Sequence, residues 1–152
     1  MATARQLEHA PNLYEQDFLS WIEAQAQALK DRQVAALDWD NLVEEIESMG
    51  RSQRNELKSR LRVLLMHLIK WHWQPEKRST SWHLTIREQR TALEDLLEMS
   101  PSLKPSIPVV LPKVWEDASK NAALETGLDR AAFPVACPWP AEDFLADDWL
   151  PE

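Results

Sequence analysis

Four cations stand at helical spacing in the middle of the chain: Arg51, Arg54, Lys58 and Arg62, at steps of three, four and four. On a helix they form one row, and Arg60, Lys70, Lys77 and Arg78 extend the positive region. Such a row can neutralise successive phosphates, which makes binding steeply salt dependent. The plainer reading is a solvated face whose charges pair within the protein, since Glu47 and Arg51 already form a favourable i,i+4 pair. Trp71, Trp73 and Trp82 flank the turn that follows, beside Lys70, Lys77 and Arg78. Aromatics interleaved with cations can stack the bases of single-stranded nucleic acid. They can equally seal the end of a helical bundle, with Trp–cation contacts as packing, and that reading is preferred.

The remaining chemistry-bearing residues form no reaction set. Glu44, Glu45 and Glu47 could share a cation, but helix-bundle metal sites add a Glu-x-x-His spacing that is missing here. His67 interrupts the most apolar run and is either a hydrogen-bonded core residue, the favoured reading, or a tuned acid–base group. His72 lies five residues on, on another side of the helix, and His83 falls with Arg87, Arg90 and Glu94 on the expected polar face of the next helix. Cys137, in Ala136-Cys137-Pro138, has no feature that lowers a thiol pKa. No GxSxG elbow is present. No catalytic residue, metal ligand set or cofactor is expected. Two glycines, Gly50 and Gly127, cannot build a Gly-rich phosphate loop.

The elements that must carry these residues are helices. Leu42, Ile46, Met49, Leu57, Leu61, Leu64 and Leu68 recur on one face of a helix predicted over residues 38–73. Asp38 caps its start and Pro75 ends it. From Val63 to Ile69 the sequence is apolar nearly all round, so this half belongs at the centre of a bundle and the first half is half-solvated. A helix over about 13–30 offers Phe18, Trp21, Ile22 and Leu29 as its apolar face. Another, over about 79–99, has the stripe Trp82, Ile86, Leu93, Leu96 and Leu97, and the short turn before it makes it an antiparallel neighbour. Pro108 and Pro112 should break or kink the following segment, leaving a firm helix over about 112–126 with Val114, Trp115, Ala118, Ala122 and Leu124 inward. Gly127 suits the position after its end. A short last helix begins near Pro140.

Three blocks, LDWDNLVEEIESMGRSQRNELKSRL, LLMHLIKWHWQPEKRSTSW and TIREQR followed by SPSL, carry a resemblance. In this order, from about Leu13 to Pro151, the chain resembles the bacterial domain-of-unknown-function family 29. The resemblance implies an all-helical fold and carries no activity or catalytic residue. One departure concerns Pro105, Pro108 and Pro112, which stand where such proteins usually have an acidic, helix-favouring run.

At 152 residues the chain fits one domain with a real core. The expected organisation is a mobile N-terminus over 1–12 and one helical domain over 13–152. The fold class is all-α, an antiparallel helical bundle of about four helices with a proline-rich C-terminal wrap. The single cysteine points to a reducing compartment, and no apolar run approaches a membrane span. A cytoplasmic protein is the expectation. Residues 51–90 hold ten Lys/Arg against three acids, a net of +7, within a chain of net charge −8. The overall acidity disfavours nonspecific nucleic-acid or anionic-membrane binding, while the local basic segment leaves nucleic acid open. The favoured function is a non-enzymatic interaction or regulatory module that meets a protein partner or itself. The alternatives are nucleic-acid binding through the basic row, and an unrecognised enzyme or metal site near His67.

Overall fold

The computed structural model describes residues 12–152. The expected mobile segment therefore lies outside the described residues except for Asn12. Six α-helices are present among the described residues, and no strand. They are α1 (Leu13–Gln16), α2 (Phe18–Lys30), α3 (Trp39–Trp73), α4 (Thr80–Met99), α5 (Ile107–Thr126) and α6 (Ala141–Phe144). Short 3-10 turns occupy Val34–Ala36, Pro75–Lys77, Pro101–Ser106 and Arg130–Ala132. By packing, the chain divides into two compact units, up to Gly50 and from Arg51 onward.

The N-terminal unit is a helical hairpin. Asp17 separates α1 from α2, and its carboxylate accepts the Ser20 N–H at 3.0 Å, so the single helix predicted over 13–30 is two. α2 ends in a Schellman turn: the Gln33 N–H reaches the Ala28 carbonyl at 2.9 Å, with Arg32 left-handed at φ 56°. Tyr14 pairs with Glu45, and the Trp21 indole with Asp38. Contacts that rise in one helix as they fall in the other make α2 and the start of α3 antiparallel.

The C-terminal unit holds the core. Leu57, Leu61, Leu64, Leu65, Leu68 and Ile69 are buried, whereas Val63, Met66 and His67, inside the stretch expected to be enclosed on most sides, are half-buried. Three contacts fix the register of α4: Lys70 over the Trp82 ring, Arg60 with Gln89, and Gln53 with Ser100. Their partners advance as α3 recedes, so α4 is antiparallel to α3. The Ser79 hydroxyl caps α4 by accepting the Trp82 N–H at 3.2 Å. Lys70 meets Glu125, and Arg62 lines a cleft with Asp117. Both pairs are separated by the same interval in sequence, so α5 runs parallel to α3.

Three sequence expectations are corrected here. α5 starts at Ile107 rather than Pro112. Pro108 occupies an early position whose N–H has no intrahelical partner. Pro112 forfeits one bond near the helix start, and burial of Ile107 and Leu103 in the core favours the earlier start. Leu124 is 84% exposed. It lies about 200° round the helix from Ala122, off the buried face. Arg90, expected on the polar face, is only 3% exposed. It stands four residues after Ile86 and three before Leu93, inside the apolar stripe.

The C-terminal wrap packs on the end of this unit. Trp139 meets Trp73, Trp115 and Trp149 at ring-centroid distances of 6.1, 5.5 and 5.6 Å, and Phe133 and Phe144 are buried. The Trp115 indole donates to the Pro134 carbonyl at 2.9 Å, which gives the buried N–H its partner. Gly127 follows α5 at φ 73°, as its C′ position demands.

Candidate interaction surface

The hairpin is joined by polar groups more than by apolar ones. Its buried residues are Trp21, Gln25 and Ala28. The Gln25 side chain uses both ends on the connecting turn. Its oxygen accepts the Asp38 N–H at 2.7 Å and its nitrogen donates to the Ala36 carbonyl at 3.4 Å. The Asp38 carboxylate accepts from the Asn41 side chain at 2.8 Å and the Trp21 indole at 3.0 Å. The Asn41 hydrogen bond is the main reason its carboxyl is held below the usual range. Glu45 accepts from the Tyr14 hydroxyl, which pushes that phenol up to about 12.

This arrangement leaves the apolar rows of both helices in water. On α2 these are Phe18, Leu19, Ile22 and Leu29, and on α3 Trp39, Val43, Ile46 and Met49, all between 41% and 69% exposed. The expected inward face of α2 is thus wrong except for Trp21, and the expected core stripe of α3 is solvated at Ile46 and Met49. The cause is a shortage of partners among the described residues: in a pair of helices each covers only one flank of the other. Counted at about 100° per residue, the exposed row lies in the same rotational sense from the helix–helix contact in both helices. Because the helices are antiparallel, both rows project from one side of the hairpin.

The basic row is carried by α3 in the C-terminal unit. Arg54 and Lys58 are exposed, and Arg51 is exposed and makes a polar interaction. Arg62 is half-buried beside Asp117, Lys120 and Asn121. The structure does not bring the tryptophans together as one platform. Trp71 lies under Arg78 at 5.1 Å, Trp82 under Lys70 at 4.6 Å, and Trp73 packs edge-on against Phe133 at 5.3 Å. Lys70 is itself buried, with its ammonium 2.6 Å from Glu125.

His67 is half-buried, and its Nδ1 pairs with the Val63 carbonyl at 2.8 Å. Desolvation holds it below the ordinary histidine value of 6.5. His83 instead lies beside Trp71, at 5.8 Å between rings. No group of three or more His, Cys, Asp or Glu among the described residues could hold a metal ion. Burial raises the Cys137 thiol above its ordinary value. No helix of the described residues is long and apolar enough to cross a membrane.

Sequence reasoning missed Arg90, whose guanidinium donates to the carbonyls of Phe144, Asp147 and Trp149 at 2.9, 3.2 and 2.7 Å. Its place in the apolar stripe of α4 was the available signal. It also missed the exposed side of the hairpin, for which helical spacing gives no signal, because a covered and an uncovered apolar face have the same period.

The sequence profile described as domain of unknown function DUF29 matches residues 13–150. No curated protein and no solved structure gives a significant match.

Proposed function

We propose that this chain, which belongs to the DUF29 family, works as a non-enzymatic interaction module whose N-terminal hairpin docks a protein. The observation that carries this reading is the exposed apolar side formed by α2 and the start of α3. Its eight large side chains leave on the order of 800 Å2 of apolar surface in water, about what one partner brings to a standard interface. Monomeric proteins typically expose patches of roughly 300–600 Å2 at most. The polar clamp of Gln25, Asp38 and Tyr14 gives the two rows a fixed spacing before any partner arrives, which lowers the ordering cost of docking. A lone cysteine and the family resemblance suit a bacterial cytoplasm.

Affinity capture of the tagged protein from host lysate, with and without nuclease, tests the reading. A defined protein should persist after nuclease and disappear with a Val43→Asp/Ile46→Asp variant. Recovery of nucleic acid instead, or loss of all captured material with nuclease, would move the site to Arg51, Arg54, Lys58 and Arg62 and overturn the proposal.

A further inference from the structure

Granted the docking role proposed above, the charge beside the apolar side identifies what occupies it. On α3 each of Trp39, Val43 and Ile46 is followed by a carboxylate, Asp40, Glu44 and Glu47, of which Glu44 and Glu47 also interact within the chain. One residue is about 100° of rotation, so this acidic row flanks the apolar row from Trp39 to Ile46. Residues 12–50 carry nine carboxylates against Lys30 and Arg32, a net of −7.

A second copy docking by the same side would bring two acidic rims together, and like charges facing one another disfavour a complex. The cations Arg51, Arg54 and Lys58 of a second copy have the right charge. However, among the described residues α3 past Met49 carries no exposed large apolar residue, and Met99, which meets the Gln53 amide at 3.3 Å, offers one anchor where the hairpin offers eight. An anionic lipid surface is repelled by the same net charge. Both rows are satisfied by a helix with apolar anchors at i, i+3, i+4 and i+7 and Lys or Arg on its flank.

We infer that the N-terminal hairpin binds a cationic amphipathic helix of another protein. Its apolar anchors lie along the rows of α2 and α3, and its cations face Asp40, Glu44 and Glu47. Charge steers the encounter and selects the partner, and the apolar rows hold it.

The test is calorimetric titration of the full chain with three designed peptides about five turns long. One has Leu at helical spacing and Lys elsewhere, the second replaces Lys with Glu, and the third has the first peptide's composition with the Leu spacing scrambled. The first should bind at least tenfold more tightly than the others, and more weakly as salt rises. Val43→Asp/Ile46→Asp should reduce its affinity at least tenfold without changing the melting curve. Equal binding to that variant would mean attraction by general acidity, and the inference falls. Sedimentation of the same samples separates the inference from the reading beneath it. If the Lys peptide fails and the chain is a dimer that the double variant dissolves, a second copy is the occupant: the inference falls and the docking role stands. If no peptide binds and the chain is a monomer, the inference falls and the docking role rests on lysate capture alone.

Discussion

The guanidinium of Arg90 donates through Nη2 to the backbone carbonyl of Trp149 at 2.7 Å, across 59 residues of sequence. With the bonds to Phe144 and Asp147 it pins the C-terminal wrap to α4 by main-chain oxygens. Desolvation holds this guanidinium below its ordinary value, and Asp147 and Asp148 oppose that effect. The C-terminal wrap is thus tied through its backbone carbonyls to a cation inside the apolar stripe.

Arg90→Ala should lower stability by roughly 3 kcal/mol, because it removes hydrogen bonds to a charged group and orphans three carbonyls. Arg90→Lys should recover little of this, since an ammonium cannot reproduce the planar fork. Denaturant unfolding measures the loss. Hydrogen exchange should show residues 144–150 deprotected first, and unchanged protection there would refute the clamp.

Lys70 is 8% exposed, with its ammonium 2.6 Å from Glu125 and 4.6 Å from the Trp82 ring. Glu125→Gln leaves a nearly buried ammonium without its counter-charge and should cost about 1–3 kcal/mol. Lys70→Met, which removes the charge and keeps an unbranched apolar stem, should cost less. In the double variant most of the Glu125→Gln penalty should vanish. A double-mutant cycle that gives additive losses would argue against this coupling.

His67 supplies a pH dependence with a definite sign. Its folded pKa is lowered from 6.5, primarily by desolvation, so the unfolded chain takes up the proton more readily than the folded one. Stability from this group is full above about pH 6.5 and declines as pH falls toward the lower folded value. His67→Gln should flatten the stability profile in that window. Asp17, Asp38 and Glu116 also have lowered values, but they begin to act only near the ordinary carboxyl range, around pH 4. A His67→Gln profile parallel to the parent's would exclude the histidine as the cause.

The apolar side of the hairpin and the core should respond oppositely to substitution. Val43→Ser and Ile46→Ser, at positions 50% and 67% exposed, should each change stability by no more than about 0.5 kcal/mol. Leu61→Ala, at a position with no exposure, should cost roughly 2–5 kcal/mol. Trp39 fluorescence should shift to shorter wavelength when a docked helix covers the row. Large losses at Val43 or Ile46 in the free protein would mean that these residues are core.

Sequence alone determined the helical class, the long helix ending at Trp73, the left-handed Gly127 and the buried leucines Leu57, Leu61, Leu64 and Leu68. Each of these is set by local rules: helical period, a helix-ending proline, a positive φ that suits glycine, and leucines recurring on one face. Tertiary structure decided the rest. Arg90 is buried because the returning C-terminal wrap offers three carbonyls that only a folded chain can present. Lys70 is buried because α5 brings Glu125 to it. α5 starts at Ile107, ahead of two prolines, because Ile107 has a core to enter. Phe18, Ile22 and Ile46 have the spacing of core residues, yet they are exposed because α2 and α3 each cover only one flank of the other among the described residues. Periodicity records which face of a helix is apolar. Whether that face is covered depends on the partner elements, and only the assembled structure counts those.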